Sequence, residues 1–208
     1  MGMLIIAYMR SGDWKTIAFF SGLAVAGAAV IIAFMPYVAS RFATYRHAWE
    51  YAASSGYQQT RTMVAIGSGG LFGVGGGNGN LDMVAAADTD LVFGFVSEEW
   101  GLLIALCCAG CLILFALYAV RCASRARSAY FAIAACAAAG MFLFQAALNI
   151  FGSTDLLPLT GVTFPLVSNG GSSMAANFAM LAFIRAVGLE NAGPPAAGKG
   201  QVPLNRQA

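Results

Sequence analysis

Four long apolar runs mark out the chain, and its polar residues gather between them. Ile17 to Ala39, Gly101 to Val120, Tyr130 to Phe151 and about Phe164 to Val187 each carry enough hydrophobic sequence to cross a bilayer as a helix. Pro36, near the end of the first, predicts a kink or an exit from the membrane. Residues 40–90 are mixed and rich in glycine, which predicts one long loop holding a short helix around Gln58 to Ile66. The last run ends near Arg185, and the Gly-, Pro- and Ala-rich stretch at residues 189–208 is predicted to be disordered. The opening MGMLIIAYMR is too short to span and lacks the layout of a cleavable signal, so it reads as the tail of a missing helix or an interfacial stub.

Composition agrees with the pattern. The chain is 59% hydrophobic and 10% charged, with a mean hydropathy of +0.73, which excludes an ordinary soluble domain and predicts an all-α, polytopic membrane protein. A net charge of +2 gives no basis for binding nucleic acid. Threading four spans puts Arg10, Lys15, Arg121, Arg125, Arg127, Arg185, Lys199 and Arg206 on one side. By the positive-inside rule that side, with the carboxy terminus, is cytoplasmic. Glu50, Asp82, Asp88, Asp90, Glu98, Glu99 and Asp155 then lie on or near the outer face. Chemistry at those carboxylates must use a substrate presented outside, away from ATP and nucleotide sugars.

The densest polar feature is DTDLVFGFVSEEWG, residues 88–101, where acids stand at the mouth of an apolar run. Acids are costly at a membrane boundary and so suggest function. Helical spacing from Asp90 puts Gly94, Ser97, Glu98, Gly101, Ala105 and Cys108 on one small, polar, cavity-lining face. Leu91, Val92, Phe95, Leu102 and Leu103 fall off that face, toward lipid. GSGGLFGVGGGNGN, residues 67–80, lacks the Gly-Lys-Ser/Thr ending of a nucleotide loop and fits no GxGxxG register. It is either a flexible loop or a backbone cradle for an anion.

Of the outer arginines Arg41, Arg46 and Arg61, the last is the best candidate for a phosphate, because it precedes the glycine loop within a predicted helix. His47 reads as structural. From PLVSNGGSS onward, Ser168, Gly171, Ser172, Ala175, Ala176 and Ala179 share a helical face suited to close packing or to a broken helix, with Ser168, Asn169 and Ser173 toward a polar cavity. Gln145 and Asn149 lie one turn apart within the third run, and Cys108 and Cys111 read as small packing residues. No metal-ligating set emerges, and cofactor use stays open.

GYQQTRTMVAIGSGGLFGVGGG, DTDLVFGFVSEEWG and LLPLTGVTFPLVSNGGSS, in this order, resemble the carboxy-terminal half of the SEDS family (shape, elongation, division and sporulation), which includes RodA, FtsW and SpoVE. The resemblance implies a multi-pass helical protein of the bacterial cytoplasmic membrane, equivalent to half of a fold of about ten spans. It implies a glycosyltransferase that polymerises lipid II into peptidoglycan strands beside a class B penicillin-binding protein. The family's essential aspartate falls on Asp90, with Thr89 beside it. Its Glu-Glu-x-Gly falls on Glu98, Glu99 and Gly101, and its Ser-Tyr-Gly-Gly-Ser-Ser on Ser168, Asn169, Gly170, Gly171, Ser172 and Ser173.

The implied site is therefore Asp90 as general base, with Arg61, Gly69, Gly70, Thr89, Glu98 and the Ser168 to Ser173 segment against the substrate. Asp88 stands where the family has His, Ala85-Ala86 where it has Pro-Glu, and Asn169 where it has Tyr. The amino-terminal half of a typical member has no counterpart, so the resemblance implies a fragment, one product of a split gene or a short paralogue, with a separate amino-terminal half as a partner. The rival readings are a lipid-linked precursor flippase and a non-catalytic scaffold of the division or elongation machinery.

Overall fold

A computed structural model describes residues 14–124, 126 and 129–192; the amino-terminal MGMLIIAYMR and the tail beyond residue 192 lie outside them. All regular structure among the described residues is helical: α1 (Trp14–Phe34), α2 (Pro36–Thr44), α3 (Tyr57–Gly69), a 3-10 turn (Leu81–Met83), α4 (Val92–Glu99), α5 (Leu102–Ser124), α6 (Ala129–Ser153) and α7 (Gly171–Ala192). Leu102–Ser124, Tyr130–Ser153 and Gly171–Leu189 are long and apolar enough to cross a membrane. Leu103, Ile104, Leu106, Ile113, Leu114 and Leu117 face outward from α5, as a lipid-facing surface requires. The protein is an integral membrane protein.

The first expected span is helical as α1, but it stops at Phe34. Met35 is extended and Pro36 opens α2, because proline has no N–H to continue the ladder and disfavours helix in the residue before it. The helix expected around Gln58 to Ile66 forms as α3, one turn longer at its carboxy end. The 40–90 stretch is more ordered than a loop, since α2, α3 and the 3-10 turn lie within it.

Alanines let α5, α6 and α7 approach closely. Ala116, Ala119, Ala123, Ala135 and Ala139 pack with Phe142, Ile184 and Val187 in one buried cluster. Phe142 meets Phe115 edge-on at 5.4 Å between ring centroids. Toward the other end Val92 and Phe93 of α4 join Ala105, Leu112, Ala146 and Phe164. None of the five cysteines is in a disulfide among the described residues, and Cys108 packs against this second cluster.

Three expectations need correction. The helix expected to run on from Asp90 into the second apolar run is broken at Trp100–Gly101, so the small polar face from Asp90 to Cys108 does not exist as one surface. Leu91 and Val92, expected toward lipid, are instead 0% and 4% exposed, because short α4 is tucked between α3, α5 and α6. The last span begins at Gly171 and not near Phe164. Ser168 closes a turn on Phe164, its N–H bonding the Phe164 carbonyl at 3.0 Å and its Oγ accepting the Phe164 N–H at 2.7 Å.

Candidate active site

A helix broken inside a membrane protein strands carbonyls at one new end and N–H groups at the other, and lipid cannot satisfy them. Here the glycine-rich loop does. Val74 and Gly75 donate N–H to the Glu98 and Glu99 carbonyls that end α4, at 2.9 and 3.0 Å. The carbonyls of Gly70 and Leu71 accept from Leu102 and Leu103, the first N–H groups of α5, at 3.0 and 3.3 Å. The Glu98 side chain, 3% exposed, accepts Asn80 N–H on Oε1 at 3.0 Å and Leu81 N–H on Oε2 at 2.9 Å.

The glycines follow from this splice. A Cβ on Gly69 would meet the Ser97 carbonyl, one on Gly73 the Glu99 carbonyl, and one on Gly101 the Leu71 carbonyl. Gly101 also holds φ 89°, a region that side chains rarely enter. Gly69 thus faces backbone, Gly70 is exposed and takes part only through its carbonyl, and the loop wraps the break between α4 and α5.

The acidic turn sits beyond the other end of α4. Asp90 N–H bonds the Ala86 carbonyl at 2.9 Å, and Thr89 Oγ1 donates to that same carbonyl at 3.3 Å. The turn is fastened to the segment before α7. Ser168, 3% exposed, donates from Oγ to the Thr89 carbonyl at 2.7 Å. Asn169 donates its N–H to the Asp88 carbonyl at 2.9 Å and its Nδ2 to Asp88 Oδ2 at 3.1 Å.

Gly170 offers its carbonyl to Met174 in the first turn of α7. Ser173 and Thr163 share a hydroxyl bond of 2.7 Å, while Gly171 and Ser172 are exposed. From α6, Asn149 reaches the Asp90 and Val162 carbonyls. The Asp90 carboxylate itself is half-buried, faces the backbone at Gly161, and has no hydrogen bond on either oxygen among the described residues.

So Asp88, Thr89 and Asp90 of the acidic motif meet Ser168 and Asn169 of the later one at one corner. Arg61 does not join them. Its guanidinium lies 5.3 Å above the Tyr57 ring and lines a separate pocket of about 340 Å³ with Tyr57, Ser68, Asn80, Met83 and Glu98. The other two arginines also go elsewhere. Arg41 donates to Gln58, whose amide in turn holds the Ala85 carbonyl, and the Arg46 N–H bonds Asp155.

Two residues at the Asp90 corner carried no sequence assignment. Asn149 had one available signal, an amide near the end of an apolar span, where polar groups are expensive. Gly161, at φ 68°, leaves room for the Asp90 carboxylate: a Cβ there would lie 2.9 Å from Oδ2. It lies within LLPLTGVTFPLVSNGGSS, where nothing in the sequence marks it out from the other glycines.

Comparison with known proteins gives these residues a context. Residues 1–192 match the FtsW/RodA/SpoVE family, described as cell cycle proteins. The probable peptidoglycan glycosyltransferase FtsW of Marinobacter nauticus is 34% identical over 194 residues, covering 91% of this chain and 48% of its own length. The FtsW of Halomonas elongata, named likewise, is 36% identical over 196 residues with the same two coverages. The peptidoglycan glycosyltransferase RodA of Mycobacterium tuberculosis is 30% identical over 187 residues, covering 87% of this chain and 39% of its own. A solved chain from a study of how a peptidoglycan synthase complex coordinates polymerization and crosslinking shares the fold, with a TM-score of 0.67 at 22% identity, over 93% of this chain and 54% of that one. The chain spans about half the length of the curated relatives it matches. Three motifs in one order, a matching fold and a family match over nearly the whole sequence lead to one conclusion: the chain belongs to the FtsW/RodA/SpoVE family, the SEDS proteins.

Proposed function

We propose that this chain is the carboxy-terminal part of a SEDS peptidoglycan glycosyltransferase that polymerises lipid II at the outer face of the bacterial cytoplasmic membrane, in division or elongation. The observation that carries the reading is the state of Asp90. Its backbone is held at both its N–H and its carbonyl, while its carboxylate has no hydrogen-bond partner among the described residues. Such a carboxylate can take the proton of an acceptor sugar hydroxyl as that oxygen attacks an anomeric carbon bearing a pyrophosphate leaving group. The departing charge calls for a cation. Arg61 remains the candidate on this chain, for a ligand long enough to extend from the acidic turn to the neighbouring pocket.

The rest of the machinery comes from outside the described residues. Gly171, Ser172, Ala175, Ala176 and Ala179 form an exposed small-residue face on α7. This supports packing by further helices, in keeping with the half of the relatives' length that this chain does not span and with a separate amino-terminal half as partner. A class B penicillin-binding protein is the proposed crosslinking partner. Lys15, Arg121 and Arg185 lie near helix ends and support a cytoplasmic carboxy terminus.

The test is glycan-strand formation from lipid II by the protein with its partners, without an energy source. Strands that appear with wild type support the polymerase reading. Transbilayer movement of lipid II without strands would replace it with the flippase, and neither activity would leave the scaffold. For orientation, a cysteine replacing Asn78 should label from outside and one replacing Ser124 only from inside; labelling of both from one side would refute it.

A further inference from the structure

We infer that Asn149 is the positioning residue for the Asp90 carboxylate. The inference rests on the reading of Asp90 as the base and adds to it the group that holds that base in place. Asn149 projects from α6 about one turn before the helix ends and is 2% exposed. Its Nδ2 donates to the Asp90 carbonyl at 2.9 Å and to the Val162 carbonyl at 2.8 Å, while its Oδ1 accepts the Phe93 N–H at 3.3 Å. Two carbonyls on one side and an N–H on the other allow only one orientation of the carboxamide.

Each bond falls on a backbone that matters to the carboxylate. Asp90 is the acid itself. Val162 follows Gly161, whose backbone the Asp90 carboxylate faces. One NH2 group therefore ties together the residue that carries the acid and the segment that the acid lies against. Phe93 is in the first turn of α4, where N–H groups have no partner within the helix. The N-cap position is Leu91, whose side chain makes no capping bond, so Asn149 caps α4 from a different helix. Burial keeps water from substituting for these bonds.

The other ties on the turn act elsewhere. Ser168 holds the Thr89 carbonyl and Asn169 holds Asp88. Only Asn149 bonds to Asp90 from outside its own turn, among the described residues. Aspartate in its place would match the shape with no N–H donor when ionised, and glutamine would carry the same groups one methylene farther out.

The experiment uses the full protein with its partners and reads two quantities for Asn149→Asp and Asn149→Gln. The first is hydrogen–deuterium exchange. Protection should fall together in peptides covering residues 88–96 and 160–166 and stay unchanged over residues 116–123 and 135–142. The second is the kinetics of strand formation from lipid II. For Asn149→Asp kcat should fall roughly tenfold to a hundredfold with KM near wild type, as expected when a reacting group is misplaced by about an ångström. Asn149→Gln should recover part of that loss.

If Asn149→Asp does not fold, Asn149→Gln decides, with the same paired loss of protection and a smaller fall in kcat. The inference is overturned if a folded variant keeps wild-type kcat, if only one of the two segments loses protection, or if both variants lose protection throughout the chain. Failure of wild type to polymerise lipid II would instead overturn the reading of Asp90 as the base, while the paired exchange response would still report whether Asn149 couples the two segments.

Discussion

Asp90 and Glu98 lie at the two ends of α4, and their surroundings are opposite. Glu98 is buried, with one oxygen bonded to the N–H of Asn80 at the end of the glycine loop and the other to that of Leu81 in the 3-10 turn. Asp90 is half-buried, and its oxygens have no bond among the described residues, although its backbone is fixed. A carboxylate whose two oxygens are each taken up by a backbone donor has its acceptor positions filled, so it serves as an anchor. One with a fixed backbone and open oxygens can accept a proton from a ligand. The same residue class at two ends of one short helix thus does structural work at one end and is available for chemistry at the other.

The largest effect that would sharpen this contrast is on turnover. Asp90→Asn keeps size and hydrogen-bonding capacity but cannot take the acceptor proton, so strand formation should fall by roughly a hundredfold or more. Membrane insertion and thermal stability should hold. Asp88→Asn should cost much less, since Asp88 already has Asn169 as a partner. Equal loss in both variants would erase the distinction and favour the scaffold.

At the other end the losses should be in stability. Gly101→Ala forces a side chain into φ 89° and against the Leu71 carbonyl. The backbone conformation alone should cost about 1–3 kcal/mol, read as a lowered thermal midpoint in detergent. Glu98→Gln puts an NH2 where an N–H now donates, leaving one of the Asn80 and Leu81 amides without an acceptor. A buried donor so stranded costs about 1–3 kcal/mol, and proteolysis should then reach the 74–81 loop first. An unchanged midpoint in Glu98→Gln would remove the anchor assignment.

The parts of this fold that rest on long apolar runs were legible in the sequence, and the parts that rest on backbone meeting backbone were not. α5, α6 and α7 follow from hydropathy, and α3 from its local pattern. The break at Gly101 is invisible, because apolar residues continue from Leu102 and Trp100 fits a helix as well as a turn. What breaks the helix is the approach of Leu71 and Phe72, far away in the chain.

The glycine loop is unreadable for the same reason. Its glycines are needed only once the end of α4 lies against them. Asp90, Thr89 and Ser168 could be picked out because their motifs resemble a family's. Asn149 stands out only as a costly amide in an apolar span, and its role does not show, since all its partners are backbone groups, which leave no mark in sequence.

The smallest expected effect concerns two of the positions where this chain departs from the family pattern it resembles. Asp88 stands in place of His and Asn169 in place of Tyr, and the structure puts them in contact, Nδ2 to Oδ2 at 3.1 Å. The side-chain bond is exposed, so it contributes little, about 0.5 kcal/mol. The Asn169 N–H to the Asp88 carbonyl persists whatever the side chains are. Asp88→Ala and Asn169→Ala should therefore each lower stability slightly, and the double variant by less than the sum. Because the residues touch, replacing one alone with its family counterpart leaves the other facing a partner it does not match. Asp88→His or Asn169→Tyr alone should slow strand formation more than the two together. Additive losses, in stability and in rate alike, would show that the two departures are independent and that Ser168 and Asn149 suffice to hold the Asp90 turn.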